Sequence, residues 1–199
     1  MSFGKFIIIP IGLAIQAMIL MLIGPYVPGS SAIVGGPGLL IFVTFQAWAV
    51  YFAAGCTPKN GLKVFLAYAV GIAASIGVVE ISKILGGMGL TGQWPVGLAV
   101  FIIVIPVICC EKVDMLSFIP GIFIGSGMFF AILTLGGERV IEDGQIVVNG
   151  LANWSGYAKI AVAELIGCGV GQVFGFITVL WRGAYESKVT PAAPAEAEA

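Results

Sequence analysis

The sequence predicts an all-α integral membrane protein of about six short transmembrane helices with no soluble domain. Three observations predict it. Hydrophobic residues make up 59% of the chain and charged residues 10%, with a mean hydropathy of +1.09; a soluble domain carries about 25% charged residues. The charges are clustered: none lies between Phe6 and Pro58, and further uncharged runs cover Val64–Val79, Ile84–Cys110, Met115–Gly137 and Leu165–Trp181. A spanning helix needs about 20 apolar residues, so the first run holds two helices and each of the others about one. The chain also holds 29 glycines, a trait of membrane helices that pack backbone against backbone.

The run after Lys5 lacks a small-x-small cleavage site with a polar flank, so Phe6–Ile23 is expected as an anchored first helix rather than a signal peptide. GPYVPGSSAIVGGPG leads into the second helix, Gly38–Ala54, and CTPKNG into the third, Leu62–Leu85. GGMGLTGQ precedes the fourth, Trp94–Cys110. The fifth is Met115–Leu133 and the sixth Tyr157–Leu180. In the 134–157 loop, RVIEDGQIVV predicts a small β-hairpin: Asp143–Gly144 supplies the positive φ of a tight turn, and β-branched residues flank it. A plain connector is the alternative. Residues 1–189 thus form a single transmembrane domain. The tail 190–199, TPAAPAEAEA, has no core-forming residue and is expected to be a disordered cytoplasmic extension.

Charge bias sets the expected orientation. With the N-terminus inside, the cytoplasmic side holds Lys5, Lys59, Lys63, Lys112, Arg182 and Lys188, and the outer side Lys83, Arg139 and Lys159. Both termini are therefore expected in the cytoplasm. Trp94, Trp154 and Tyr157 would mark the outer interface and Trp181 the inner one. Cys56, Cys109 and Cys110 fall on the reducing side and are read, with Cys168, as free thiols.

Two glycine ladders point to close helix packing: Gly167, Gly171 and Gly175 in the last helix, Gly121 and Gly125 in the fifth. Either serves an internal contact or a homo-oligomer interface. Pro10, Pro106 and Pro120 fall near the predicted cytoplasmic ends, and Pro106 frees one carbonyl inside the fourth helix. VTFQAWAVYFAAG in the second helix and LSFIPGIFIGSG in the fifth both place Thr or Ser before Phe, with one gap. That likeness suggests a 3+3 inverted repeat, an arrangement that places solute sites at its interface.

Few charges lie near hydrocarbon depth. Glu80 and Lys83 share a face of the third helix, and Glu164 lies about two turns into the last, with Lys159 above it. Such groups are either structural pairs or a solute pathway. The outer side counts five acids (Glu80, Glu138, Glu142, Asp143, Glu164) against three bases, which favours a cation or a neutral solute over an anion. Gln46, Trp48, Tyr51 and Phe52 of the second helix, with Phe118 and Phe123 of the fifth, are candidates for a constriction or plain packing.

The absence of histidine excludes imidazole catalysis. No phosphate loop, metal-ligand cluster or nucleophile–base pair appears, so no enzyme, cofactor or metal is expected. GCGVGQVFG lies inside a helix and is a packing ladder rather than a dinucleotide loop. No basic patch suggests nucleic acid. The reading is a membrane channel or simple transporter for a small neutral or cationic solute, set in a lipid bilayer as a homo-oligomer. The alternative is a non-transporting accessory subunit of a larger membrane complex.

Two stretches carry a resemblance. WAVYFAAGCTPKNGLKVFLAYAVG, with Tyr51, Phe52 and Ala53 followed by Gly61, Leu62 and Lys63, resembles the signature of the YcdZ-like family of small bacterial inner-membrane proteins. MLSFIPGIFIGSGMFF resembles that family's Ser-Phe-x-Pro-Gly-x-Phe-x-Gly motif through Ser117, Phe118, Pro120, Gly121, Phe123 and Gly125. The long loop at 134–157 departs from the compact family pattern. The resemblance implies a multi-spanning protein of the bacterial inner membrane and no particular substrate, because the family's function is unknown.

Overall fold

Inside hydrocarbon a backbone amide finds no water, so each apolar run closes its hydrogen bonds within a helix. A computed structural model of the chain describes residues 1–27, 38–135, 138–142, 145–149 and 151–189. After a single helical turn at Phe3–Phe6 come six longer helices: α1 Ile8–Ile23, α2 Ile41–Ala53, α3 Pro58–Gly87, α4 Trp94–Cys109, α5 Ile119–Leu135 and α6 Trp154–Val189. Four helical stretches are long and apolar enough to cross a membrane: Phe3–Tyr26, Pro58–Gly87, Trp94–Lys112 and Trp154–Val189. Ile41–Ala53 and Ile119–Thr134 are shorter apolar helices. The chain is an all-α membrane protein. Its 13-residue α2 rises only about 20 Å, less than a hydrocarbon core of about 30 Å.

Local chemistry explains where helix bounds differ from expectation. α3 starts at Pro58 rather than Leu62, because Thr57 caps it by accepting from the Asn60 amide at 3.2 Å and Pro58 needs no donor partner in a first turn. α5 starts at Ile119 rather than Met115: Asp114–Leu116 is a separate 3₁₀ turn, and the Ser117 hydroxyl donates back to the Asp114 carbonyl at 2.8 Å. α6 runs on to Val189, past the expected Leu180. An Arg182–Glu186 pair one turn apart at 2.8 Å and a Tyr185 hydroxyl donating to the Lys5 carbonyl at 2.7 Å support the extra turns. The expected hairpin is present as β1 Glu138–Glu142 paired antiparallel with β2 Gln145–Asn149, in the register Glu138↔Asn149 to Glu142↔Gln145. Its Asp143–Gly144 turn, most of the connection before α2 (residues 28–37) and the tail 190–199 lie outside the described residues.

Packing is organised by two crossings of the same kind. α3 lies chiefly on α5 and α4, α6 chiefly on α2, and α3 also meets α6. At the first crossing a Cβ added to Gly71 would stand 2.6 Å from the Ser126 amide, one added to Gly125 would stand 2.7 Å from Tyr68 Cα, and one added to Gly121 would stand 2.9 Å from Ala67 Cβ. At the second, a Cβ at Gly171 would stand 2.5 Å from the Thr44 carbonyl, one at Gly167 3.1 Å from Val43 and one at Gly175 2.6 Å from Tyr51. Both glycine ladders are therefore used inside the protomer.

The two crossings share a register. Ala67–Gly121 answers to Gly167–Val43, and Gly71–Gly125 answers to Gly171–Ala47. Buried positions follow: 64, 67, 68, 71, 75 and 78 of α3 match 164, 167, 168, 171, 175 and 178 of α6. The same register sets Ile41, Phe45, Phe52 and Ala53 against Ile119, Phe123, Phe130 and Ala131 with no gap. This contact pattern is that of a 3+3 arrangement in which each short helix packs on the long helix of the other half. It replaces the sequence pairing of Thr44–Phe45 with Ser117–Phe118. Ser117 precedes α5 altogether, so a chemical likeness there was not a positional one.

Candidate functional site

α6 carries a run of polar side chains along the length that meets the rest of the bundle: Tyr157, Glu164, Cys168 and Gln172. Seven residues make two helical turns, so Glu164 sits almost directly beneath Tyr157, about 10 Å further along the axis. Cys168 and Gln172 follow at one-turn spacing.

At the Tyr157 position α3 and α6 are latched together. The Tyr157 hydroxyl donates to Glu80 Oε1 at 2.6 Å, and Lys83 Nζ donates to the same carboxylate at 2.8 Å, to the Tyr157 hydroxyl at 2.9 Å and to the Ala152 carbonyl at 2.8 Å. Tyr157 also packs on Phe129, with ring centroids 6.1 Å apart. Glu80 and Lys83 thus form an ion pair that Tyr157 links to α6. Tyr157, expected at the interface, is buried, because the indole of Trp154 occupies the exposed side of that turn.

Glu164 is different. It is fully buried, and neither carboxylate oxygen has a hydrogen-bond partner among the described residues. Lys159, expected above it, is exposed and makes no ion pair with it. The buried Tyr68 hydroxyl of α3 also lacks a partner, and Tyr68 and Cys168 both lie within electrostatic reach of Glu164. Tyr68 and Cys168 belong to one apolar cluster with Val43, Val64 and Ile160. A carboxyl placed there either keeps its proton and stays neutral or is balanced by a cation, since an ionised group left alone at such depth costs several kcal/mol. The same holds in milder form for a phenol with an empty acceptor and donor.

One turn beyond Cys168, Gln172 Nε2 donates to the Ala47 carbonyl at 2.8 Å while its Oε1 has no partner. The buried Tyr51 hydroxyl nearby is likewise unpaired. Both line a groove of about 340 Å³ with Gly61, where a Cβ would stand 2.9 Å from the Tyr51 ring and 3.3 Å from Gln172 Oε1. Only glycine leaves that space.

The other expected pathway residues are not gathered round a path. Gln46, Phe52 and Phe123 are exposed on the outer surface of the bundle. Each lies off the face that carries Val43, Ala47 and Tyr51 in α2 or Gly121, Gly125 and Phe129 in α5. Trp48 is held by packing: its Nε1 donates to Thr178 Oγ1 at 3.1 Å, Thr178 donates to Gln16 Oε1 at 2.7 Å, and the Phe174 ring lies tilted against it at 5.5 Å. Phe118 packs beside Gly121. Among the described residues no group of His, Cys, Asp and Glu is placed to hold a metal ion, and the four cysteines are unbridged.

A second clasp sits at the end of the bundle that holds the start of the chain and the last turns of α6. Asp114 pairs with Lys63 at 2.6 Å and Lys59 at 3.1 Å, tying the first turns of α3 to the α4–α5 connection. The Lys63 hydrogen bond, and then that of Lys59, holds the Asp114 carboxyl below the usual carboxylate range.

Residues legible only in three dimensions are Tyr68, Gly71, Ser75, Ser126 and Gln172. Ser75 and Ser126 share a hydrogen bond of 2.7 Å, and both reach the Gly71 carbonyl. The spacing Ala67-Gly71-Ser75 is itself a small-residue ladder and was the available signal.

Residues 11–181 match the model of the family described as Protein of unknown function (DUF1097), and the chain belongs to that family. No curated protein and no solved structure matches it.

Proposed function

We propose that this chain is a small membrane transporter that moves a proton or a small cation, alone or together with a small neutral solute, across the bilayer. Glu164 is its ion-binding group. One observation carries the reading: a fully buried carboxyl on a membrane helix without a hydrogen-bond partner among the described residues, beside the α3–α6 contact that relates two similarly packed halves. Intramembrane carboxylates at such interfaces bind coupling ions in transporters. Tyr68 supplies a hydroxyl to the same ion, and Gln172 and Tyr51 offer polar groups on the way to the terminal end. The Glu80–Lys83–Tyr157 latch closes the opposite end.

We read the terminal end, with six of the nine basic residues, as cytoplasmic. The membrane is the bacterial inner membrane, as the YcdZ-like resemblance implies. Both motif stretches of that resemblance fall inside the family match, and we take it as kinship within the family. An oligomer would assemble through faces other than the two glycine ladders.

The test is flux in proteoliposomes, with a pH-sensitive dye inside and a panel of monovalent cations and small neutral solutes outside. Glu164→Gln keeps the side chain's size and removes its charge. Wild-type flux that drops at least tenfold in this variant, with Glu80→Gln retaining most of it, supports the reading. No flux of any solute discards transport; equal flux in both proteins discards Glu164 as the site. An accessory role is the second reading, favoured by the small buried share of two spans, 11% for Phe3–Tyr26 and 17% for Trp94–Lys112. A stoichiometric foreign partner retained in mild detergent would favour it.

A further inference from the structure

α1 is the least embedded of the long helices: only Ile9 and Leu20 are buried. Among the cavities beside it are two that share walls. One, of about 510 Å³, is enclosed by α1, α2 and α6, with Leu13, Phe52 and Val179 on its walls and Arg182 and Glu186 at the terminal end. The other, of about 350 Å³, runs between α1 and α2 past Ala14, Ala17, Phe45 and Ala49. Leu13 and Phe52 line both, so the two adjoin at these side chains and are taken together as one groove. Its apolar arm follows α2 from Phe52 back to Phe45, about 10 Å. Ala14 and Ala49 are exposed, so the arm opens sideways on the bundle surface, where a membrane protein meets lipid.

The charged end has unused capacity. Glu186 Oε1 takes only the Nε–H of Arg182, at 2.8 Å, which leaves the guanidinium's two terminal amino groups with no protein hydrogen bond among the described residues. Planar guanidinium donors match phosphate oxygens. Lys5 is bound to this end of α6, its Nζ donating to the Val189 carbonyl at 3.4 Å and its carbonyl accepting from Tyr185. Lys188 adds a third base. Three bases against Glu186 favour a negative headgroup.

We propose that this groove binds one anionic phospholipid of the leaflet at the terminal end, its phosphate on Arg182 and an acyl chain between α1 and α2. A solute from water would meet apolar walls and a lateral opening; an amphiphile with a charged head fits both parts. The bound lipid fills the gap that α1 leaves and fastens it to the bundle. The proposal does not depend on the transport reading.

The experiment is native mass spectrometry of the full chain in detergent, titrated with phosphatidylglycerol and with phosphatidylcholine, alongside thermal unfolding in each lipid. One phosphatidylglycerol is expected to bind in preference to phosphatidylcholine and to raise the melting temperature. Arg182→Ala should weaken it about fivefold, the factor for one interfacial basic residue, and Glu186→Gln should not weaken it. Ala49→Trp, which fills the apolar arm, should abolish retention; Ala14→Leu narrows the same arm should the larger side chain impair folding. Equal binding of the two lipids, or wild-type binding by both the arginine and the groove-filling variants, would overturn it.

Discussion

The α3 unit, with α4 and α5 packed on it, and the α6 unit, with α1 and α2, are built on the same crossing but finished differently. In the α3 unit Ser75, Ser126 and the Gly71 carbonyl at the crossing satisfy one another, and among the described residues the Tyr68 hydroxyl is the unit's one buried side-chain group without a partner. α4 is seated by Val107, Ala99 and Pro95, and Ile103 lies over Gly77, where a Cβ would stand 2.9 Å from it. In the α6 unit, Glu164, Tyr51 and Gln172 Oε1 are buried without partners, and α1 leaves grooves on its flanks. Buried polar groups left unpaired destabilise a fold. Three of the four side chains so buried among the described residues lie in the α6 unit, which supports the proposal that this unit is the one shaped for binding.

The largest expected effect tests the shared part. Gly71→Ala and Gly171→Ala each force a Cβ onto the backbone of the crossing helix, which cannot retreat without moving the helix. Each should cost about 3 kcal/mol, the upper end of ordinary overpacking, by unfolding in detergent. Gly12→Ala, whose Cβ would meet the Trp181 ring on the loosely held α1, should cost about 1 kcal/mol or less. Similar losses at all three glycines would remove the distinction between crossing and periphery.

The smallest effect concerns the clasp inside the α3 unit, between α3 and the α4–α5 connection. Asp114 has a carboxyl pKa held down by Lys63 and Lys59. A depressed folded-state value contributes stability above the unfolded carboxylate pKa of about 4, lost as pH falls through the folded value. Wild-type melting temperature should therefore decline more steeply than that of Asp114→Asn below about pH 4. Parallel curves would show that the clasp contributes nothing to stability.

Much of the architecture was legible in the residues. Charge-free runs located all six helices, because the cost of burying charge in lipid is large and local. The glycine ladders announced close packing, and the Asp-Gly turn announced the hairpin. Partners were not legible. Gly167 does not state whether it faces Val43 or a second protomer, and only the assembled bundle answers. The repeat register was hidden because α3 and α6 share a burial pattern and one identical buried residue, Gly71 against Gly171, rather than a motif; the visible Ser-Phe likeness pointed to a wrong alignment. Glu80 and Glu164 looked alike as intramembrane acids. Only the position of Tyr157 and Lys83 makes the first a latch and leaves the second alone.

That difference between two glutamates is the most direct point of attack. A hydrophobic carbodiimide, which modifies carboxyl groups from within the apolar phase, should label Glu164 in wild-type protein and leave the ion-paired Glu80 largely unmodified, as peptide mass spectrometry would read. Labelling should fall when the transported cation or a rise in pH is supplied before the reagent. Modification of Glu80 with Glu164 untouched, or labelling of Glu164 that no cation and no pH affects, would contradict the assignment of Glu164 as the ion-binding group.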